Sequence, residues 1–297
     1  MSLRLEMLQV ARLAPKLLGD SADLVANFLR STQTPEGGFA DRGGRADLYY
    51  SVFAIEGLFA LRADLPLAGL RRFLESFGGG DGGDAPQDFV HLCCLSRCWA
   101  MFRDAPPAAD VVTAILGRIE ACRAPDGGYG AKPGDAGTIY HSFLALGAYQ
   151  DLGRAMPDER RILDCVRALR MPDGGYANQP DIPVGITPPT AAAVTLLRHF
   201  NEPPDAAAGD WLMARHFKQG GFFATPDAPI PDLLSTATAL HALAGMKRDI
   251  DPIREPCLDF VDTLWTTNGG FLGSWEDEVL DAEYSYYGLL ALGHLAV

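Results

Sequence analysis

A Gly-Gly-aromatic turn recurs along this chain and constrains its fold more than any other feature. Residues 34–39 read TPEGGF, 124–129 APDGGY, 171–176 MPDGGY, 219–222 QGGF and 268–271 NGGF. The stretch FGGGDGGD at 77–84 fills the gap between the first two. Six turn signals about 45 residues apart mean one unit used six times, because a fixed period of this size marks a repeat architecture. The flanking segments are helical in pattern. Leu24, Val25, Phe28 and Leu29 precede the first turn on one helix face. Tyr50, Phe53, Ala54, Gly57, Leu58 and Leu61 follow it with the same period, and Ile162, Cys165, Val166 and Leu169 open the fourth unit. No strand-like alternation competes. A single row of hairpins leaves two apolar ends unless it is capped or closed. The last segment, GLLALGHLAV (288–297), is apolar to its end. The sequence therefore predicts an all-α, single-domain (α/α)6 toroid over residues 1–297, with six inner helices inside six outer ones.

The net charge of −13 argues against nucleic acid, which needs clustered Lys and Arg. No apolar run reaches the ~18–20 residues of a membrane-spanning helix, and MSLRLEMLQVARLAPKLLGD does not read as a signal peptide. MSL itself reads as a remnant of expression. Cys93, Cys94, Cys98, Cys122, Cys165 and Cys257 lack a disulfide-framework spacing, so buried reduced thiols in a cytoplasmic protein are expected. Phosphate-loop, dinucleotide, nucleophile-elbow and HExxH motifs are absent from the chain.

The junctions between turn and inner helix read DLYYS (47–51), DFVHL (88–92), TIYHS (138–142), ITPPT (186–190), DLLST (232–236) and DAEYS (281–285). With the QxxxxGGF-type turn from Gln33 to Phe39, these units resemble the α/α toroid of protein prenyltransferase β subunits and of squalene and class II terpene cyclases. The resemblance implies an isoprenoid diphosphate bound in the central barrel, whose prenyl group is transferred or cyclised, and a helical α-type partner subunit. Three junctions, read across the seam of the ring, are similar to that family's reacting segments: DAEYSYYGLLAL (281–292), RGGRADLYYSVF (42–53) and QDFVHLCCLS (87–96). Carried over, the resemblance makes Asp47, His91 and Tyr50 catalytic. It makes Arg42, Arg45, Tyr49, Phe53, Tyr140, Glu283, Tyr284 and Tyr287 substrate-binding.

Two guanidinium groups at a helix N-terminus suit a diphosphate by charge and bidentate hydrogen bonding. Aromatic walls suit an isoprenoid chain or a carbocation. Asp47, Asp88, His91 and His141 form a candidate metal set, with Cys94 beside His91. Yet Tyr49 stands where the prenyltransferase zinc site has its Cys, and a phenol is a poor substitute for a thiolate. Zinc is expected to bind weakly or not at all. The cyclase resemblance lacks its D-x-D-D acid, since GDGGD (80–84) and DFVD (259–262) do not match it. Such cyclases also usually carry a second toroid. Asp47, Asp88, Asp232 and Asp281 each precede an inner helix and are expected to cap it. The alternative function is a non-catalytic toroid that holds a hydrophobic ligand or a protein; a barrel filled by side chains would favour it.

Overall fold

The computed structural model describes residues 2–77 and 88–297. The second turn signal falls almost wholly on residues 78–87 and lies outside the described residues. Inner helices α4 (Leu48–Ala60), α6 (Phe89–Trp99), α8 (Ile139–Asp151), α10 (Thr187–His199), α12 (Leu233–Gly245) and α14 (Ala282–Leu295) each pack on the next, and α14 returns to α4. The ring is closed, as the apolar ends predict. Helices α3 (Ser21–Ser31), α5 (Leu67–Glu75), α7 (Ala109–Glu120), α9 (Ile162–Ala168), α11 (Ala206–Met213) and α13 (Asp251–Leu264) pack outside it. No helix among the described residues is long and apolar enough to cross a membrane. All six cysteines are buried and unpaired.

The repeated turn has a structural reason. The first glycine of each described pair has positive φ, and a Cβ there would strike the next outer helix. At Gly37 that atom would sit 2.0 Å from the Gly69 carbonyl oxygen, and at Gly220 1.8 Å from that of Pro256. At Gly269 the obstacle is Leu24 of the first outer helix, so the last turn also closes the ring. Only glycine tolerates both constraints. The aromatic that follows (Phe39, Tyr129, Tyr176, Phe222, Phe271) is buried between the two layers.

Its backbone N–H donates to a buried hydroxyl on the inner helix. Phe39 donates to Ser51 at 2.8 Å, Tyr176 to Thr190 at 2.9 Å and Phe222 to Thr236 at 2.9 Å. Each hydroxyl in turn donates to the carbonyl of the residue capping the helix, as Thr236 does to Asp232 at 2.7 Å. The Ser/Thr that ends five of the six junction strings is this tether, and Leu92 replaces it in the unit with the degenerate turn. Thr236→Val removes the acceptor and leaves a buried N–H alone. We expect a loss of about 1–3 kcal/mol in urea unfolding, against no such loss for Thr113→Val on the outer surface.

Two features were not anticipated. A two-stranded ladder, β1 (Phe39–Ala40) with β2 (Ala46–Asp47), and single bridges elsewhere pin the turns. These pairings are too short to show alternation in sequence. The second is α1 (Leu3–Ala11), followed by the single turn α2 (Pro15–Leu18). Ser2 caps α1 and Leu3 is buried. α1 contacts α14, α4 and α8 and lies across the C-terminal ends of the inner helices. Leu3 N donates to Gln150 at 2.9 Å, and Arg198 donates to Glu6 at 2.9 Å. It is the floor of the barrel. Of the four apolar residues placed on one face of α3, Leu24 is exposed, while Val25 and Leu29 are buried.

Candidate functional site

The inner helices all start at one end of the ring, and their caps assemble the mouth. Asp47, Asp88, Asp232 and Asp281 each accept a hydrogen bond from the backbone N–H three residues on, as does Thr138 for α8. The first N–H of α8, α10 and α12 is taken by a carbonyl of the next repeat's loop: Asn178, Ala224 and Gly273. The mouth is thus built from cap residues and loop backbone with few orphan donors.

Below it the barrel is hollow. A cavity of about 450 Å³ is enclosed by Tyr49, Phe53, Tyr140, Phe143, Tyr286 and Tyr287, with Ile182, Ile186, Pro188 and Pro189 on the opposite wall. That size falls within the range of small-molecule sites. Phe53 is the hub of the aromatic wall, its ring 5.0 Å from Tyr49 and 5.4 Å from Tyr287. Of the residues expected to bind substrate, Tyr49, Phe53, Tyr140, Glu283 and Tyr287 line this cavity, whereas Arg42, Arg45 and Tyr284 do not.

Glu283 is the carboxyl group at the upper end of the cavity. It sits in the first turn of α14, and the Tyr49 hydroxyl donates to its Oε1 at 2.6 Å. Among the described residues its Oε2 has no hydrogen-bond partner. Burial pushes its pKa up to about 7, against the pull of the Tyr49 hydrogen bond. Burial also holds the Tyr49 phenol far above its ordinary value, so it stays a donor.

Arg42 and Arg45 do not converge on an open anion site. Arg42 donates to Asp281 and to Asp277, both at 2.7 Å, and lies over the Tyr284 ring. Arg45 turns outward and pairs with Asp41 in its own loop at 2.8 Å. Their charges are already matched by carboxylates.

Asp47, Asp88 and His91 are brought together, but in a chain. His91 Nε2 lies 2.8 Å from Asp47 and Nδ1 2.7 Å from Asp88. Tyr50 only supplies the N–H that Asp47 accepts, and its ring stacks edge-on to Tyr49. None of these four residues lines the cavity. His141 is apart, its Nδ1 bonded to Thr138 at 2.9 Å. The expected metal ligands therefore do not fit a zinc ion. Both His91 nitrogens are engaged by carboxylates, His141 is turned to its own cap, and burial keeps the Cys94 thiol protonated. No group of three or more His, Cys, Asp or Glu converges on a metal position among the described residues.

The hydrogen bond that His91 donates to Asp47, with the one to Asp88 adding to it, raises the His91 pKa to about 9. The folded value lies above the ordinary 6.5, so the stabilisation is complete below 6.5 and is lost as pH rises through about 9. The shift alone corresponds to about 3 kcal/mol. A third of the ring and more than half of Asp88 face solvent, so we expect about 1 kcal/mol. Urea midpoints should fall between pH 7 and pH 10, and His91→Gln should flatten that fall. An equally steep fall in the variant would assign the effect elsewhere.

The chain belongs to the prenyltransferase α/α-toroid family. The sequence model of the prenyltransferase alpha-alpha toroid domain matches residues 5–77, 92–183 and 190–296. No curated protein matches the sequence. Among solved structures the chain is similar to the type II terpene cyclase MstE from Scytonema, at 13% identity and TM-score 0.61, covering 94% of this chain and 97% of that one. It is similar to a protein from Actinoplanes at 16% identity and TM-score 0.57, covering 93% and 98%. It also matches ent-copalyl diphosphate synthase from Streptomyces platensis at 16% identity and TM-score 0.52, covering 84% of this chain and 50% of that one. At these identities the likeness establishes the fold.

Among the cavity-lining residues not singled out from the sequence are two charged groups. Glu56 and Arg97 are single charges inside apolar runs, AIEGLF and CLSRCW. Isolated charges in otherwise buried inner helices are the signal that points to them.

Proposed function

We propose that this chain binds an isoprenoid in its barrel and cyclises it by protonation from Glu283. The observation that carries the reading is a carboxyl group with its pKa near 7 at the end of an aromatic-lined cavity. A general acid works best when its pKa lies near the working pH. The Tyr49 hydrogen bond fixes Oε1, which leaves Oε2 to carry the proton. Transfer of that proton to an alkene gives a tertiary carbocation. Neighbouring double bonds then close rings by adding their π electrons to it. Loss of another proton from carbon to solvent ends the reaction, and Glu283 is reprotonated from solvent. The product is an isomer of the substrate. The rings of Tyr49, Phe53, Tyr286 and Tyr287 offer π faces to the cation, each worth about 0.5–2 kcal/mol, and the apolar walls keep water from quenching it.

One variant of the Scytonema cyclase is in complex with geranylgeranyl dihydroxybenzoate, which supports an isoprenoid in a barrel of this shape. An isoprenoid diphosphate is the ligand the prenyltransferase resemblance implies. At the mouth it would have to displace Asp277 and Asp281 from Arg42. We therefore favour a reaction that starts at an alkene rather than at a diphosphate. In this reading Asp47, His91 and Tyr50 hold the rim. No zinc takes part, and elemental analysis should return well under one zinc per chain.

The test is incubation of the purified protein in D2O with all-trans farnesyl and geranylgeranyl alcohols, acids and aryl conjugates, followed by mass spectrometry. A cyclic product carrying one deuterium on carbon is expected. Recovery of every substrate unchanged would sink the reading.

A further inference from the structure

The cavity is not apolar throughout. At its lower end it is lined by Arg97, Glu56, Thr195, Thr238 and Met7 of the floor helix. Arg97 is the ninth residue of α6, and Glu283 the second of α14. Seven residues at the helical rise separate the two levels by roughly 10 Å along the barrel. Arg97 donates through Nε to Asp151, which is itself buried. Its two Nη groups donate to no protein acceptor among the described residues. Its side chain nevertheless keeps 18% of its surface accessible, on a helix whose other sides are packed, and the space it lines is the cavity. Neither Nη is a buried orphan, so these unused N–H groups are free to meet an acceptor brought into the cavity.

Resting on the isoprenoid reading, we infer that the substrate is amphipathic and carries an oxygen acceptor, of the carboxyl or carbonyl class, at the end that reaches the floor, where Arg97 receives it. The alkene end then lies beside Glu283, and the chain between them crosses the aromatic wall. Asp151 fixes the guanidinium through Nε, so the Nη face is pre-set for a planar acceptor. The charges already on the floor balance: Arg4, Arg97 and Arg198 against Glu56, Asp151 and Glu6. Glu56 is pushed towards its neutral form by burial. It can therefore take up a proton when a carboxylate arrives, so that the added negative charge is matched. Thr195 and Thr238 donate their hydroxyls to helix carbonyls and keep lone pairs towards the floor. They suit a ligand group that also donates.

The test compares farnesoic acid with farnesene, the hydrocarbon of matching chain, by titration calorimetry on the full chain. The parent should bind the acid at least tenfold more tightly. Arg97→Met alone leaves Asp151 buried without its partner, so the decisive variant is Arg97→Met with Asp151→Leu, which removes both charges. It should bring the two affinities together, while Glu283→Gln preserves the difference. Equal affinities in the parent overturn the floor assignment but leave an isoprenoid barrel standing. Binding of neither probe overturns both. A difference that survives in the double variant and disappears in Glu283→Gln places the polar end at the mouth and overturns the orientation. If the double variant does not fold, a crystal structure of the parent with farnesoic acid decides: carboxylate oxygens within hydrogen-bond reach of Arg97 Nη support the assignment, and carboxylate beside Tyr49 overturns it.

Discussion

Glu283→Gln is expected to lower polyene turnover by about 10³-fold or more while leaving binding of the polyene nearly unchanged. The amide keeps the shape of the carboxyl and still accepts from Tyr49 through Oε1, but it has no proton to give. General acids contribute about 10²–10⁴ in rate, and loss confined to the reacting step lowers kcat and kcat/KM together. The pH profile carries the same signature. With a pKa of about 7 the acid form is depleted above neutrality, so the parent's kcat should fall with rising pH in the window around 7–9. Stability shifts too. The folded pKa lies above the ordinary 4.5, so this group's contribution is full below 4.5 and is lost as pH rises through about 7. The Gln variant escapes that loss and should be more stable than the parent at pH 8, by up to about 3 kcal/mol. A Gln variant that still cyclises at the parent's rate would remove Glu283 from the chemistry.

Arg4→Ala is expected to cost about 3–5 kcal/mol. Arg4 and Glu56 are both buried, and Nε donates to the carboxylate at 2.5 Å. Arg4 comes from the floor helix and Glu56 from α4, so this pair joins the floor to the ring. Removing one partner strands a buried charge, which is far more costly than removing both. Arg4→Met combined with Glu56→Leu should therefore lie within about 1–2 kcal/mol of the parent. Urea unfolding of the three proteins decides it. If the single variant is no worse than the double, the ion pair is not what fixes the floor.

The ring was legible because its signals repeat. Five described turns each need a positive-φ glycine against the next outer helix and a buried aromatic, and each requirement leaves a fixed letter. The Ser/Thr tether was visible as a column, although its partner, the aromatic's N–H, is backbone and leaves no letter. Glu283 was picked out with Tyr49 through the resemblance. Its pairing crosses the seam between α14 and α4, so only closure makes them neighbours. Closure also decides what Arg42 meets. The type and loop of Arg42 and Arg45 suited a diphosphate, but Asp277 and Asp281 arrive from the far end of the chain to neutralise Arg42. The floor helix left no readable pattern, because its buried stripe of Leu3, Arg4, Leu8 and Ala11 includes an arginine, while apolar Leu5 and Val10 lie outside that stripe.

The partnership of α1 with α14 has a consequence for how the protein is made. The two helices lie about 280 residues apart in sequence and touch directly, Val10 against Gly293. While the chain emerges from the ribosome, α1 has no α14 to rest on. The barrel's lower end stays open, and the charges of Arg4 and Glu56 wait in a half-built ring. Contacts this distant slow folding because so much chain must be ordered first. The repeats can stack as they appear, but the barrel closes only when α14 has met α1 and α4. The nascent protein is therefore an open solenoid with an apolar bore, the state most exposed to aggregation, and it becomes a closed vessel in a single late event.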